Sequence, residues 1–147
     1  MRATGRGAPD LSCEMMSDLC AVAPTVERVV AGCLAELPPG ARAEEAGDAL
    51  RLALTEAVNN CIQHGYGGVP GELIGIELWR RAGRVTLRVS DRGDPLPRRL
   101  VEAPPRAPDP ESLPESGWGW LLIRRSVDRV TYERRDGWNR LTLERRL

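Results

Sequence analysis

Three short segments of this chain carry residue types suited to chemistry. The first is Thr55-Glu56-Ala57-Val58-Asn59-Asn60-Cys61-Ile62-Gln63-His64-Gly65. On a helix Glu56, Asn60 and His64 fall at i, i+4 and i+8 and form one polar row. Leu54, Val58, Cys61 and Ile62 occupy the opposite face. Such a row also fits the wet side of an amphipathic helix. Two details point further. Asn59 and Asn60 are poor helix formers placed mid-helix, where long flexible charges are usual. An asparagine oxygen is also a natural Mg²⁺ ligand once phosphates already hold the metal.

The second segment is Asp91-Arg92-Gly93-Asp94-Pro95, at the end of an alternating apolar run. A carboxylate accepts hydrogen bonds only, which suits an exocyclic amino group, and Gly93 allows a planar ring close to the backbone. A polar turn after a strand has the same composition. The third segment is Gly117-Trp118-Gly119-Trp120, read as opening a helix over 121–127. Glycines ahead of a helix expose N–H groups at its positive end, a site for phosphate oxygens. Trp118 and Trp120 flank this site or belong to the core.

The elements that must position these segments follow from periodicity. Residues 11–16 form an edge strand. Val26, Val29, Val30, Cys33 and Leu34 recur at helical spacing within 21–37, closed by Pro38-Pro39-Gly40. A second helix spans 43–64, with Leu50, Leu54, Ala57, Val58, Cys61 and Ile62 as its apolar stripe and Gly65 as its stop. The period then changes to two. Strands over 73–79 and 85–89 enclose a hairpin at Arg81-Ala82-Gly83-Arg84, and a last hairpin turns at Asp136-Gly137. Between them, residues 94–116 hold seven prolines, from Pro95 to Pro114, and read as a long loop of the kind that is functional or disordered. The order implies an α+β fold: a two-layer sandwich with a mostly antiparallel sheet and helices on one face. Residues 1–10 read as a flexible tail and 11–147 as one domain.

Composition narrows the function classes. The 147 residues are 41% hydrophobic and 29% charged, with 21 basic and 21 acidic side chains. That balance points to no nucleic-acid partner and no membrane. Nothing approaches the about 20 apolar residues needed to span a bilayer, and the expected location is cytoplasmic. Cys13, Cys20, Cys33 and Cys61 lack CxxC spacing and read as buried free thiols.

Taken in order, the acidic residue and Asn on a helix, the strand–DxG, the loop and the GxG–helix resemble the split ATP pocket of the GHKL (Bergerat) superfamily. Within it the chain resembles the anti-sigma-factor serine/threonine kinases of the RsbW and SpoIIAB type. "LALTEAVNNCIQHGY" is similar to that family's N-box helix and "GWGWLLIRRSVDRVTYE" to its glycine box. The resemblance implies ATP and Mg²⁺ as cofactors, with Glu56 as general base and Asn60 as metal ligand. It places His64 near the phosphates or in a structural role, Asp91 on the adenine amino group, and Gly93 beside the ring. Gly117 and Gly119 would meet the phosphates, and residues 94–116 would be the ATP lid. It further implies a protein serine kinase that phosphorylates a STAS-domain antagonist, sequesters a sigma factor or other regulator, and forms a homodimer. A nucleotide-responsive sequestering module without phosphotransfer is the alternative. Asn139-Arg140 departs from a threonine-rich pair of some members, at a position expected to bear on a phosphate contact.

Overall fold

The computed structural model describes residues 6–97, 99–100 and 116–147, with the backbone alone at 116 and 117. In chain order the elements are β1 (Leu11–Met16), α1 (Leu19–Leu34), α2 (Ala41–Asn60), β2 (Leu73–Arg81), β3 (Arg84–Asp91), α3 (Ser116–Ser126), β4 (Arg129–Arg135) and β5 (Trp138–Arg146). The strands make one antiparallel sheet in the order β1-β2-β3-β5-β4. The expected α+β sandwich is present.

Alternation along the strands decides the layers. Ile74, Ile76, Leu78, Val85, Leu87, Val89, Leu141 and Leu143 face the helices and are buried with Val26, Val29, Leu50, Leu54, Val58 and Ile123. Fully burying each aliphatic side chain of this kind contributes about 1.5–3 kcal/mol, so this layer dominates stability. The valine-rich α1 has weak intrinsic helix preference. It is held by its buried stripe Val22, Val26, Val29, Val30 and Cys33 and by Asp18, whose side chain accepts from Cys20 N. Both β-hairpins turn through two residues of positive φ, Ala82-Gly83 and Asp136-Gly137, the pairing that matches strand twist.

The other face of the sheet carries no helix among the described residues. Part of it is covered by the segment expected to be a mobile tail. Residues 1–5 lie outside the described residues, but from Arg6 onward the chain is fastened to the sheet. Trp79 Nε1 donates to Gly7 O at 3.1 Å, Arg6 pairs with Glu144 at 2.6 Å, and Asp10 N donates to Leu78 O at 2.7 Å. Arg88 stacks over Trp79 at 5.1 Å, which leaves that indole 4% exposed on the face opposite the core.

The second helix differs from expectation at its end. Regular α-helix stops at Asn60, and Cys61–Gly65 forms a π turn in which Tyr66 N donates to Cys61 O at 2.8 Å. Widened turns of this kind interrupt helices where side chains must be re-aimed. The cysteines also divide: Cys33 and Cys61 are buried, Cys13 is half-buried and Cys20 is exposed.

Burial pushes the Cys33 thiol from its ordinary value of 9.0 up to about 12. A pKa raised by folding gives stability that is complete below pH 9 and lost as pH rises toward 12. In that window denaturation at increasing pH should show a loss of about 1.4 kcal/mol per pH unit from this thiol. Cys33→Ala should lower stability at neutral pH and flatten the slope by that amount; an unchanged slope would contradict the burial argument.

Candidate active site

The end of α2 and the end of β3 meet backbone to backbone. Asp94 N donates to Gly65 O at 2.7 Å. A Cβ on Gly93 would lie 2.3 Å from the carbonyl carbon and oxygen of Gly65. The missing side chain at Gly93 therefore serves this joint. The π turn delivers the Gly65 carbonyl to the joint and turns Cys61 inward.

Asp91, only 6% exposed, is the polar centre of this end. Its Oδ1 accepts from Gly93 N at 2.8 Å and from Asn139 Nδ2 at 2.9 Å, and its Oδ2 accepts from Cys61 Sγ at 3.2 Å. A carboxylate offers about four lone-pair sites, so these three donors fix its orientation and leave capacity for one more. Burial raises the Cys61 thiol well above its usual range, and the Asp91 charge adds to that effect. Cys61 is thus a donor, not a nucleophile.

Asn139 was not among the expected site residues for this end, and the structure moves it from the phosphate side to beside Asp91. Its Nδ2 also reaches Gly93 O at 2.9 Å and Asp94 O at 3.2 Å, while its Oδ1 accepts from Tyr132 OH at 2.6 Å and Arg134 Nη1 at 2.8 Å. Tyr132 OH in turn accepts from Leu96 N at 3.1 Å. The sequence held a signal: Asn139 alternates with Leu141 and Leu143, which puts a polar side chain in a core-facing column.

Two recesses follow from this arrangement. One, of about 20 Å³, is bounded by Asp91, Cys61, Gly65, Tyr132 and Asn139, and holds about a single water. The other, of about 280 Å³, is bounded by His64, Pro97, Arg99 and Trp120. Asn60 and Leu96 line both. Recesses of about 330 and 440 Å³ exist elsewhere, but they lie at the far end of the sheet among Arg84, Arg81 and Arg146 and touch none of these residues. Arg80, Arg81 and Arg84 lie at that end, whereas Arg99 lines the cavity beside Asn60.

Glu56 and Asn60 are half-buried and face α3. A Cβ on Gly119 would lie 2.6 Å from Glu56 Oε2 and 3.9 Å from Asn60 Oδ1. The glycine pair does not precede the helix as expected. Both Gly117 and Gly119 lie inside the first turns of α3, and Gly119 makes room for the Glu56 carboxylate. The structure thus brings together Glu56, Asn60 and Gly119, then His64, and at the other end Asp91 and Gly93. Residues 98 and 101–115 of the expected lid lie outside the described residues.

Such a site, a helix-borne Glu and Asn beneath a glycine helix start with a buried Asp at the far end, defines a nucleotide-binding α+β sandwich. Residues 16–145 match the histidine kinase-like ATPase domain family, and the chain belongs to it. Within that family it is similar to a serine/threonine-protein kinase and to anti-sigma F factors. It is 35% identical over 96 residues to the serine/threonine-protein kinase BtrW of Bordetella bronchiseptica, covering 64% of this chain and 66% of that one. It is 30% identical over 84 residues to the anti-sigma F factor of Geobacillus stearothermophilus, covering 57% and 58%. With the anti-sigma F factor of Clostridium botulinum, strain Alaska E43, it is 31% identical over 107 residues, 71% of each chain. The chain therefore spans somewhat less than two thirds of the first of these relatives. The crystal structure of the RsbU and RsbW domains of a Mycobacterium tuberculosis protein superimposes with a TM-score of 0.60 at 22% identity. That match covers 95% of this chain and 33% of that one, a likeness of fold. No helix among the described residues is long and apolar enough to cross a membrane.

The two glycines should respond differently to alanine. Gly93→Ala drives a Cβ into backbone, whereas Gly119→Ala meets the movable end of a glutamate. Thermal denaturation should show Gly93→Ala destabilised by about 1–3 kcal/mol or more, with Gly119→Ala affected less. The reverse order would contradict the packing described.

Proposed function

We propose that this chain is an ATP-dependent protein serine kinase and anti-sigma-type regulator, which phosphorylates a STAS-domain antagonist in a partner-switching pathway. The observation that carries the reading is the pairing of Glu56 and Asn60 against Gly119, with Asn60 lining both the small recess at Asp91 and the larger one at His64. A chain that only held nucleotide would have no chemical use for a carboxylate at that position.

The residues fit a Mg²⁺-nucleotide. Among the described residues no group of three or more His, Cys, Asp or Glu could hold a metal alone, so the ion would arrive with the phosphates and take the Asn60 amide oxygen as a protein ligand. Bound there, Mg²⁺ would offset the charge of the phosphates. Asp91, oriented by Gly93, Asn139 and Cys61, would accept the adenine amino hydrogen. His64, Arg99 and the start of α3 with Gly117 and Gly119 would face the triphosphate. Entry of the base requires Leu96 and its neighbours to move, because the present recess beside Asp91 is far smaller than a purine.

Phosphotransfer needs the acceptor hydroxyl in line with the γ-phosphorus. Glu56 would take the hydroxyl proton as the serine oxygen bonds to phosphorus and the bond to ADP breaks. Residues 94–116 would act as the lid that excludes water. Release of the phosphorylated antagonist would free the kinase to hold a sigma factor or other regulator, with the protein as a homodimer in the cytoplasm.

The test combines Mg-ATP, the protein and STAS-domain proteins of the same genome, with phosphoserine read by mass. Glu56→Ala should reduce transfer by about 10²–10⁴-fold while nucleotide still binds. Asn60→Ala should lose both transfer and Mg²⁺-dependent nucleotide affinity. Binding without transfer to any antagonist would favour the sequestering module, and no binding would overturn the pocket assignment.

A further inference from the structure

Leu96 and Asn60 line both recesses of the site, the one of about 20 Å³ beside Asp91 and the one of about 280 Å³ beside His64 and Arg99. Asn60 is fixed in α2, whereas Leu96 lies on the irregular segment that follows β3. It stands between Pro95 and Pro97, so its amide is the one backbone N–H of that tripeptide. That donor is used on Tyr132 OH, at 3.1 Å. Upstream, Asp94 N is fixed on Gly65 O at 2.7 Å. Downstream, Leu100 N turns back to Pro97 O at 3.0 Å, and Arg124 Nη2 reaches Leu100 O at 3.3 Å. Between these points the Tyr132 hydroxyl holds the backbone of Leu96 in place.

The same hydroxyl donates its single hydrogen to Asn139 Oδ1 at 2.6 Å. Asn139 does not depend on it, because Arg134 Nη1 also donates to that oxygen, at 2.8 Å, and keeps the amide nitrogen turned toward Asp91. What Tyr132 alone supplies is the hold on Leu96. We propose that Tyr132 is a latch on the nucleotide site: its hydroxyl keeps Leu96 between the two recesses, and nucleotide binds to the population in which the bond from Leu96 N is open. The inference rests on the nucleotide reading above and adds to it a control on entry. A bond present in the free protein and absent from the complex lowers apparent affinity by the fraction of molecules that are closed. It acts on association and leaves release unchanged, since the complex no longer contains it.

The experiment uses the full chain. Stopped-flow mixing with Mg-ADP carrying a fluorescent ribose label reads association and dissociation separately. Tyr132→Phe, which keeps the ring, should associate about three- to tenfold faster, the worth of one hydrogen bond, with the dissociation rate unmoved. Leu96→Ala keeps the bond but removes the side chain between the recesses, and should also associate faster. A purely structural Tyr132 would lower the melting temperature and leave the association rate alone. Amide hydrogen exchange of the unaltered chain gives an independent reading. The Leu96 N–H should be protected in the free protein and exchange faster with Mg-ADP bound, opposite to the protection a ligand ordinarily confers. Unchanged or slower association in both variants would overturn the inference, as would a Leu96 amide equally protected with and without Mg-ADP. Should Tyr132→Phe fail to fold, Leu96→Ala and the exchange of the unaltered chain still decide. Calorimetric titration of the unaltered chain with Mg-ADP separates the two levels: no binding there defeats the functional reading and this inference with it, whereas binding with those rates and that amide unmoved defeats the latch alone.

Discussion

The Gly65 carbonyl accepts from Asp94 N, with Gly93 pressed against the same peptide, and this contact fastens the helix layer to the sheet at one end of the molecule. The site depends on it. Glu56, Asn60 and His64 belong to α2 and its terminal turn, whereas Asp91 belongs to β3. Backbone approach at this distance admits no side chain on Gly93. It also requires a helix end that directs its carbonyl sideways, which the π turn at Cys61–Gly65 provides. One local change in helix winding thus sets the separation between the polar row of α2 and Asp91.

Around that joint the polar groups are organised by the cost of burying charge. Asp91 sits in an apolar setting and is tolerated because Gly93, Asn139 and Cys61 all donate to it. Asn139 in turn is held by Tyr132 and Arg134, and Tyr132 reaches the backbone of Leu96, at the root of the proline-rich loop. Movement of Leu96 therefore changes a hydrogen bond two steps from Asp91. Such connected buried networks are rigid when satisfied, and here the network ties Asp91 to the root of the proline-rich loop. The α3 side is looser. Glu56 and Asn60 lie against a glycine, and Asn60 adjoins the larger cavity.

Much of the architecture was legible in the sequence. The alternating runs marked β2 and β3, and the helical stripes marked α1 and α2, because burial of one face imposes a period on the residues that line it. The polar row Glu56, Asn60, His64 and the strand-end Asp91 stood out for the same reason: each breaks the apolar pattern at a defined phase. What went unread were features with no period. The π turn looks like ordinary helix, since one extra residue per turn leaves the composition unchanged. The segment from Arg6 to Asp10 has few apolar residues and looks mobile, yet it is fastened by single bonds to Trp79, Glu144 and Leu78.

By itself, the sequence determined which residues face inward, where each element begins and ends to within a few positions, and which side chains have the chemistry to serve nucleotide and hydroxyl. Those are properties of short stretches, governed by periodicity, turn residues and donor or acceptor type. Tertiary structure alone decided the partners. It set Gly119 against Glu56 and Gly93 against Gly65, and brought Asn139 to Asp91 across 48 positions of chain. The physical reason is that close contacts and shared hydrogen bonds are fixed by how packed layers register. That register depends on every side chain in the core at once and leaves no local mark on the residues it joins.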